Sequence, residues 1–257
     1  MPLVFYASLV DNQMQEEEFK MGTWFDVSST DMFQPFSTSH LLMLAAYACG
    51  VLVMIILRKK LQQKHAHAII RWLLFLLLLS SELSYQGWAI HHGVWRFPDH
   101  MPLHLCGIAS ITAMLALIFQ NKPFIRLTYF LAVVPAMLAL ITPDLPYGPE
   151  HFRFWKFFLH HIAISWSGIF LVLSIPIRIT LASMLRAFLF LVSYALVVGM
   201  LINPLAGANY LYLARPAADT LLNHFGSGIM YYINLIVAAF VAFILLYGIA
   251  KSFPENK

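Results

Sequence analysis

A thiol and several imidazoles, set in otherwise apolar sequence, are the groups in this chain with reaction chemistry of their own. Cys106 closes the run Met101-Pro102-Leu103-His104-Leu105-Cys106, and His160 and His161 are adjacent in Phe-Phe-Leu-His-His. A thiol becomes a nucleophile when a base takes its proton, and imidazole is the side chain suited to that near neutral pH. The pairing fits acyl transfer or ester hydrolysis: Cys106 attacks an acyl carbonyl, and the protonated base returns its proton to the leaving group. His104 and Cys106 stand two positions apart, so on one helix they point to nearly opposite sides and do not pair. The base must come from another element, and His161, or its neighbour His160, is the expected one. Pro102 suits the first turn of a helix, which puts Cys106 where a helix N-terminus favours a thiolate. Cys49 has no polar neighbour at helical spacing and reads as core.

Other polar residues interrupt apolar runs. Glu82 shares a helical face with Ser81, Tyr85 and Gln86, and a carboxylate there would cost about 2.5–3.5 kcal/mol against lipid, so that face points inward. Cys106, Ala109, Ser110 and Ala113 form a small-residue stripe, as do His161, Ser165 and Gly168; such stripes let helices approach closely. Asn203, Asn209 and Tyr210 precede the last apolar run, which carries Tyr231 and Asn234. At about 1.5 Å per residue, Glu82, Cys106, His161 and Asn234 lie about 6–12 Å from one end of their runs, in a common slab. That shared depth points to one pocket, with Glu82 orienting a histidine or holding a shared proton. His104, Asn209 or Asn234 would donate to an oxyanion. Zinc has weak support, because no His-x-x-x-His or His-Glu-x-x-His spacing exists within one helix, so no cofactor is expected.

The elements that must position these groups are membrane helices. Of 257 residues 60% are apolar and only 11% charged, with a mean hydropathy of +0.74, whereas soluble domains carry about 25% charged residues. That composition excludes a soluble globular protein, a disordered chain and nucleic-acid binding by a charged surface. Seven apolar runs are long enough to span a bilayer: His40–Leu57, Ile69–Ile90, Pro102–Phe119, Phe124–Thr142, Phe154–Ile175, Thr180–Ile202 and Ile229–Gly248. The expected fold is an all-α bundle of seven membrane helices over 33–250, with an N-terminal extracytoplasmic extension, 1–32, and a short tail, 251–257. Arg58, Lys59, Lys60, Lys64, Arg71, Lys122, Arg126, Arg178, Arg186, Lys251 and Lys257 gather on one side, which places the N-terminus outside and the C-terminus in the cytoplasm. Nine of the eleven histidines then fall at or near the outer face. An acidic stretch, Glu16–Glu18, stands before the first run in place of a basic n-region, so a cleaved signal peptide is not expected. The protein is expected in the cell membrane, with its site near the outer leaflet. The oligomeric state is open.

Some seven-helix classes are excluded. The last run has no buried lysine for a retinal Schiff base and no histidine for a ceramidase-type zinc site, and receptor switch motifs are absent. The Met101–Cys106 run and the His160-His161 pair resemble the YwaF-type integral membrane family. So do Asn203 with Asn209-Tyr210-Leu211-Tyr212-Leu213, and Phe33-Gln34-Pro35-Phe36-Ser37-Thr38-Ser39-His40. That family is distantly similar to the transmembrane-protein-164 acyltransferases, which move acyl chains between phospholipids through a cysteine and a histidine. The resemblance matches His104 and His161 to that family's histidines. It departs at the thiol: in a Pro-Cys-His motif the cysteine falls on Leu103, and Cys106 stands one turn later, expected on the same face. The implied function is an acyl-lipid enzyme with membrane lipids as partners. The alternative is a proton-coupled transporter or ligand-binding protein using Glu82 and the histidines, without a covalent intermediate. The cytoplasmic halves of the runs are almost wholly apolar, which favours a one-sided pocket over a through-path.

Overall fold

Long apolar stretches without competing polar backbone partners satisfy their own N–H and C=O groups as helices. A computed structural model, describing residues 24–28, 31–217 and 220–252, shows this pattern. Most of the expected extension and tail, 1–23, 29–30 and 253–257, lies outside the described residues. The principal helices are α1 (Thr38–Ile56), α2 (Lys64–His91), α3 (Leu105–Phe119), α4 (Lys122–Ile141), α5 (Phe152–Ser174), α6 (Leu181–Val197) and α7 (Ile229–Ser252). Helix α6 continues through a π turn, Val198–Ile202, into Asn203–Ala206. Six of these helices, all but α3, are long and apolar enough to cross a membrane. Helix α3 has 15 residues, about 22 Å at 1.5 Å each. It begins at Leu105 and not at Pro102 as the apolar run suggested. His104 is extended at its N-cap (φ −66°, ψ 163°).

Helix α5 is the centre of the bundle: 72% of its apolar window is buried, against 11% for α1, α6 and α7. Its closest partner is α4, followed by α2 and α3. Small residues set the approaches. A Cβ at Gly168 would come within 2.9 Å of Val133 on α4, and one at Gly50 within 1.9 Å of the Trp166 ring. Ser165 joins three helices, donating to the Val133 carbonyl and meeting the Tyr47 hydroxyl at 3.0 Å. Ser165, expected in the pocket, is therefore a packing tie. Cys49, expected in the core, is exposed, because the outer face of α1 has no neighbouring helix to cover it. His40 is fully buried; its Nδ1 accepts from Phe36 N–H, so Nε2 donates to the Leu140 carbonyl.

The segment before α1 is strapped across the ends of α2 and α5. Trp88, His151 and Tyr147 donate in turn to the carbonyls of Phe25, Asp26 and Val27. His151 Nδ1 accepts from Arg153 N–H, so the fold uses neutral imidazole with its proton on Nε2. Burial, reinforced by the Arg153 and His92 charges, holds the His151 pKa below its usual 6.5. The folded state therefore binds fewer protons here than the unfolded chain. The contribution of His151 is whole above about pH 6.5 and is lost as pH falls through the lowered folded value. Acidification is expected to lower the amide protection factors at residues 25–28, after correction for the intrinsic pH dependence of exchange, while His151→Phe, which keeps the ring stacked on Tyr147, makes those protection factors independent of pH in this range. An unchanged acid response in His151→Phe would reject the assignment.

Candidate functional site

Because α3 starts at Leu105, His104 is not held on the helix opposite Cys106. Extended backbone turns its ring toward Tyr210 and Tyr212, with centroids 5.2 and 4.9 Å away. His104, Cys106 and His161 consequently line one cavity of about 940 Å³, near the upper end of ligand-site sizes of about 300–1,000 Å³. The expectation that His104 and Cys106 face apart is corrected: it assumed a helix already running from Pro102, whereas α3 begins at Leu105. The wall is mainly apolar, from α4, α6 and α7, and its polar exceptions include Asp144 and Tyr212. Leu196, Met200 and Ile236 are both lining residues and exposed apolar surface, so the cavity reaches the lipid-facing side of the bundle.

The two adjacent histidines differ. His161 Nδ1 donates to the Phe157 carbonyl at 2.7 Å, which leaves the Nε2 lone pair free to accept a proton. His160 is buried away from the cavity lining, and among the described residues its Nδ1 has no hydrogen-bond partner. Cys106 stands in the first turn of α3, whose N-terminus has no side-chain cap; the N–H groups there lack helical acceptors. Among the described residues no hydrogen bond joins Cys106 Sγ to His161. Leu103, the position matched to the related thiol, packs with Tyr210 and Val198, not beside Cys106 on a helical face. Its carbonyl accepts from Tyr194.

Several expected pocket residues serve the frame. Asn203 brackets Tyr210, its Nδ2 donating to the Tyr210 carbonyl and its Oδ1 accepting the Tyr210 N–H, both at 3.0 Å. Tyr210 in turn donates to the Phe97 carbonyl. Asn209 closes its own loop, accepting from Ala214 and Arg215 N–H and donating to the Arg215 carbonyl. Asn234 Nδ2 donates to Phe225. Neither Asn209 nor Asn234 lines the cavity, whereas His104 does. Ser110 is buried in α3 with no partner for its hydroxyl. Asn203→Ala is expected to cost about 1–3 kcal/mol by orphaning the Tyr210 N–H and leaving its carbonyl only the 3.4 Å bond from Leu213 N–H. A thermal melt unchanged from wild type would contradict that role.

Glu82, Tyr85 and Gln86 form a separate cluster on α2. Gln86 donates to Glu82 and to the His100 carbonyl and accepts from Trp95, all at 2.7–2.8 Å. Glu82 faces Lys156 at 4.0 Å, not a histidine. Tyr85 stacks on His100 and lies beneath the Arg153 and Lys156 cations. Arg153 and Lys156 were not among the expected site residues, although Lys156 precedes His160 by one helical turn, a visible signal. Nor was Asp144, which accepts from the Tyr212 hydroxyl at 2.8 Å. Burial and the Asp144 carboxylate raise the Tyr212 pKa, so this phenol stays a donor. No sequence spacing could have joined positions so far apart. Among the described residues no cluster of His, Cys, Asp and Glu could hold a metal ion.

These features define a multi-pass helical membrane protein with a lipid-reaching cavity that carries a thiol and two imidazoles. The chain belongs to the TMEM164 family, whose model matches residues 35–247. No curated protein and no solved structure matches it significantly.

Proposed function

We propose that this protein is a membrane acyl-lipid enzyme, catalysing acyl transfer or ester hydrolysis, with its N-terminus outside, seven membrane helices and its site in the outer leaflet. The observation that carries the reading is the cavity itself: apolar walls suited to acyl chains, lined also by Cys106, His104 and a His161 whose Nδ1 donates to Phe157, leaving Nε2 as the acceptor. Kinship with the YwaF-type proteins, carried by the motifs quoted above, is part of the same proposal. In the reaction, His161 Nε2 takes the Cys106 proton and Sγ adds to the ester carbonyl. The tetrahedral oxyanion is met by His104 and by the uncapped N–H groups of α3. Collapse expels the alcohol, which receives the proton from His161, and leaves a thioester on Cys106. A second alcohol or water, deprotonated by His161, attacks that thioester and restores the thiol.

Intact-mass spectrometry after incubation with mixed phospholipids tests this, comparing wild type with Cys106→Ser and His161→Ala. A thiol-sensitive acyl adduct, absent from Cys106→Ser and altered in His161→Ala, is the expected result. Lipid turnover that survives Cys106→Ser but depends on His104 or His161 would replace the thioester with direct attack by a base-activated alcohol or water. Neither adduct nor turnover would overturn the enzyme reading in favour of proton-linked binding at Glu82.

A further inference from the structure

The cavity has a floor, which the chemistry above does not account for. Away from His104 its lining stops at Val134 on α4, Phe188 on α6 and Phe243 on α7; among the described residues none closer to the far ends of those helices contributes. At that level Phe243 stacks on Phe130 of α4 at 5.1 Å and meets Phe188 edge-on at 5.7 Å. Phe130 and Phe243 are buried, so the rings fill the space between the three helices. Above them the lining turns to short side chains, Ala239 and Ala242 on α7 and Ala195 on α6. The exposed lining residues Leu196 and Ile236 stand about two turns nearer the roof than Phe188 and Phe243 on their helices. The cavity is thus open to lipid beside its upper half and closed below.

A slot of this form measures a chain. Near the roof Tyr232 donates to the Leu213 carbonyl, and Phe243 follows it on α7 by 11 positions, a depth of about 16 Å. An extended chain of tetrahedral atoms advances about 1.2 Å per bond, so about 13 carbons reach from roof to rings. A longer chain meets close-packed rings held from behind by Phe130, and forcing extra atoms into such packing is costly. We infer that Phe243, backed by Phe130 and Phe188, sets the length of chain that the cavity takes. The occupant is one extended acyl chain, with its carbonyl end at His104 and Cys106 and its methyl end against the rings. This rests on the acyl-lipid reading for what the chain carries, but not for its measurement.

The test is retention of saturated 1-alkanols of about 10 to 20 carbons, offered as an equimolar mixture to the full chain purified in digitonin, which brings no linear alkyl tail. Bound alcohols are extracted after desalting and quantified by gas chromatography. These probes have no ester and no charge, so retention reports the well and not the reaction. Wild type is expected to retain chains of about 13 carbons most strongly. Phe243→Ala is expected to move that maximum about three carbons longer, and Ala239→Phe, one turn nearer the roof on the same face, about four carbons shorter. Opposite shifts separate a length stop from general damage to packing, which would lower retention without reordering it. Ala239→Phe adds a ring to the cavity's own space, so it carries the test even where Phe243→Ala does not fold. A wild-type profile with no maximum, an unmoved maximum in Ala239→Phe, or shifts of both variants in one direction would overturn the inference. A Cys106 adduct beside a flat profile would remove the length stop and leave the acyl-lipid chemistry standing. A sharp, movable maximum without any adduct would do the reverse.

Discussion

Under the proposed acyl-lipid chemistry, His161→Ala is expected to reduce turnover by about 10²–10⁴-fold, the usual contribution of a positioned general base. The loss should fall on kcat rather than KM, because the apolar walls proposed to hold the chains remain. Added imidazole should restore part of the rate through the space the side chain vacates. The neighbouring His160→Leu supplies the contrast. His160 carries a buried Nδ1 with no partner and does not line the cavity, and replacing an unsatisfied polar group by an apolar one is close to neutral or stabilising. Its melting temperature in detergent should hold or rise, with turnover preserved. Equal losses in the two variants would show that the histidine pair acts as one packing unit and that His161 has no separate role.

Gly107→Ala is the second substitution expected to have a large effect. A Cβ at this position would lie 2.3 Å from the Pro102 carbonyl oxygen and 2.5 Å from its carbon. Those are backbone atoms, so no rotamer change can relieve the clash; either the start of α3 or the turn before it must move. Overpacking of this kind costs about 1–3 kcal/mol. The more telling consequence is local, since the displaced turn carries His104 and α3 carries Cys106. Activity should fall well beyond what the loss of stability explains, while Gly87→Ala, with open space around it, leaves both unchanged. Normal turnover in Gly107→Ala would mean that the turn from Pro102 to His104 has room to yield without affecting the site.

Hydropathy made the long helices legible almost to the residue: the run His40–Leu57 becomes Thr38–Ile56, and Ile229–Gly248 becomes Ile229–Ser252. The third run misled because apolar sequence continues through Pro102 and Leu103, whereas close contact between Gly107 and Pro102 turns the chain before α3 begins. Depth along a helix could be read by counting residues, but direction around it could not. Glu82 and His161 lie at similar depth, yet Glu82 turns to Gln86 and Lys156, and only His161 reaches the cavity. Asn203, Asn209 and Asn234 looked like free amides because their backbone partners lie in loops whose paths no periodicity describes. His104 and His161 both line the cavity, whereas the separation of His161 from His160 depended on the Phe157 carbonyl taking one tautomer.

The π turn at Val198–Ile202 gives α6 slack in its residue count. A π turn takes one extra residue into a single turn, so the segments before and after it stay in phase despite the surplus. Deleting one residue from these five would let the turn close as ordinary α-helix, with Asn203 still facing Tyr210. The same deletion within Leu181–Val197 would put everything beyond it out of phase by about 100° and swing Asn203 off the loop it brackets. Length variation in α6 is therefore tolerable at one place, immediately before the loop that roofs the cavity. That loop can be moved along the helix axis in small steps without the helix that supports it being rebuilt.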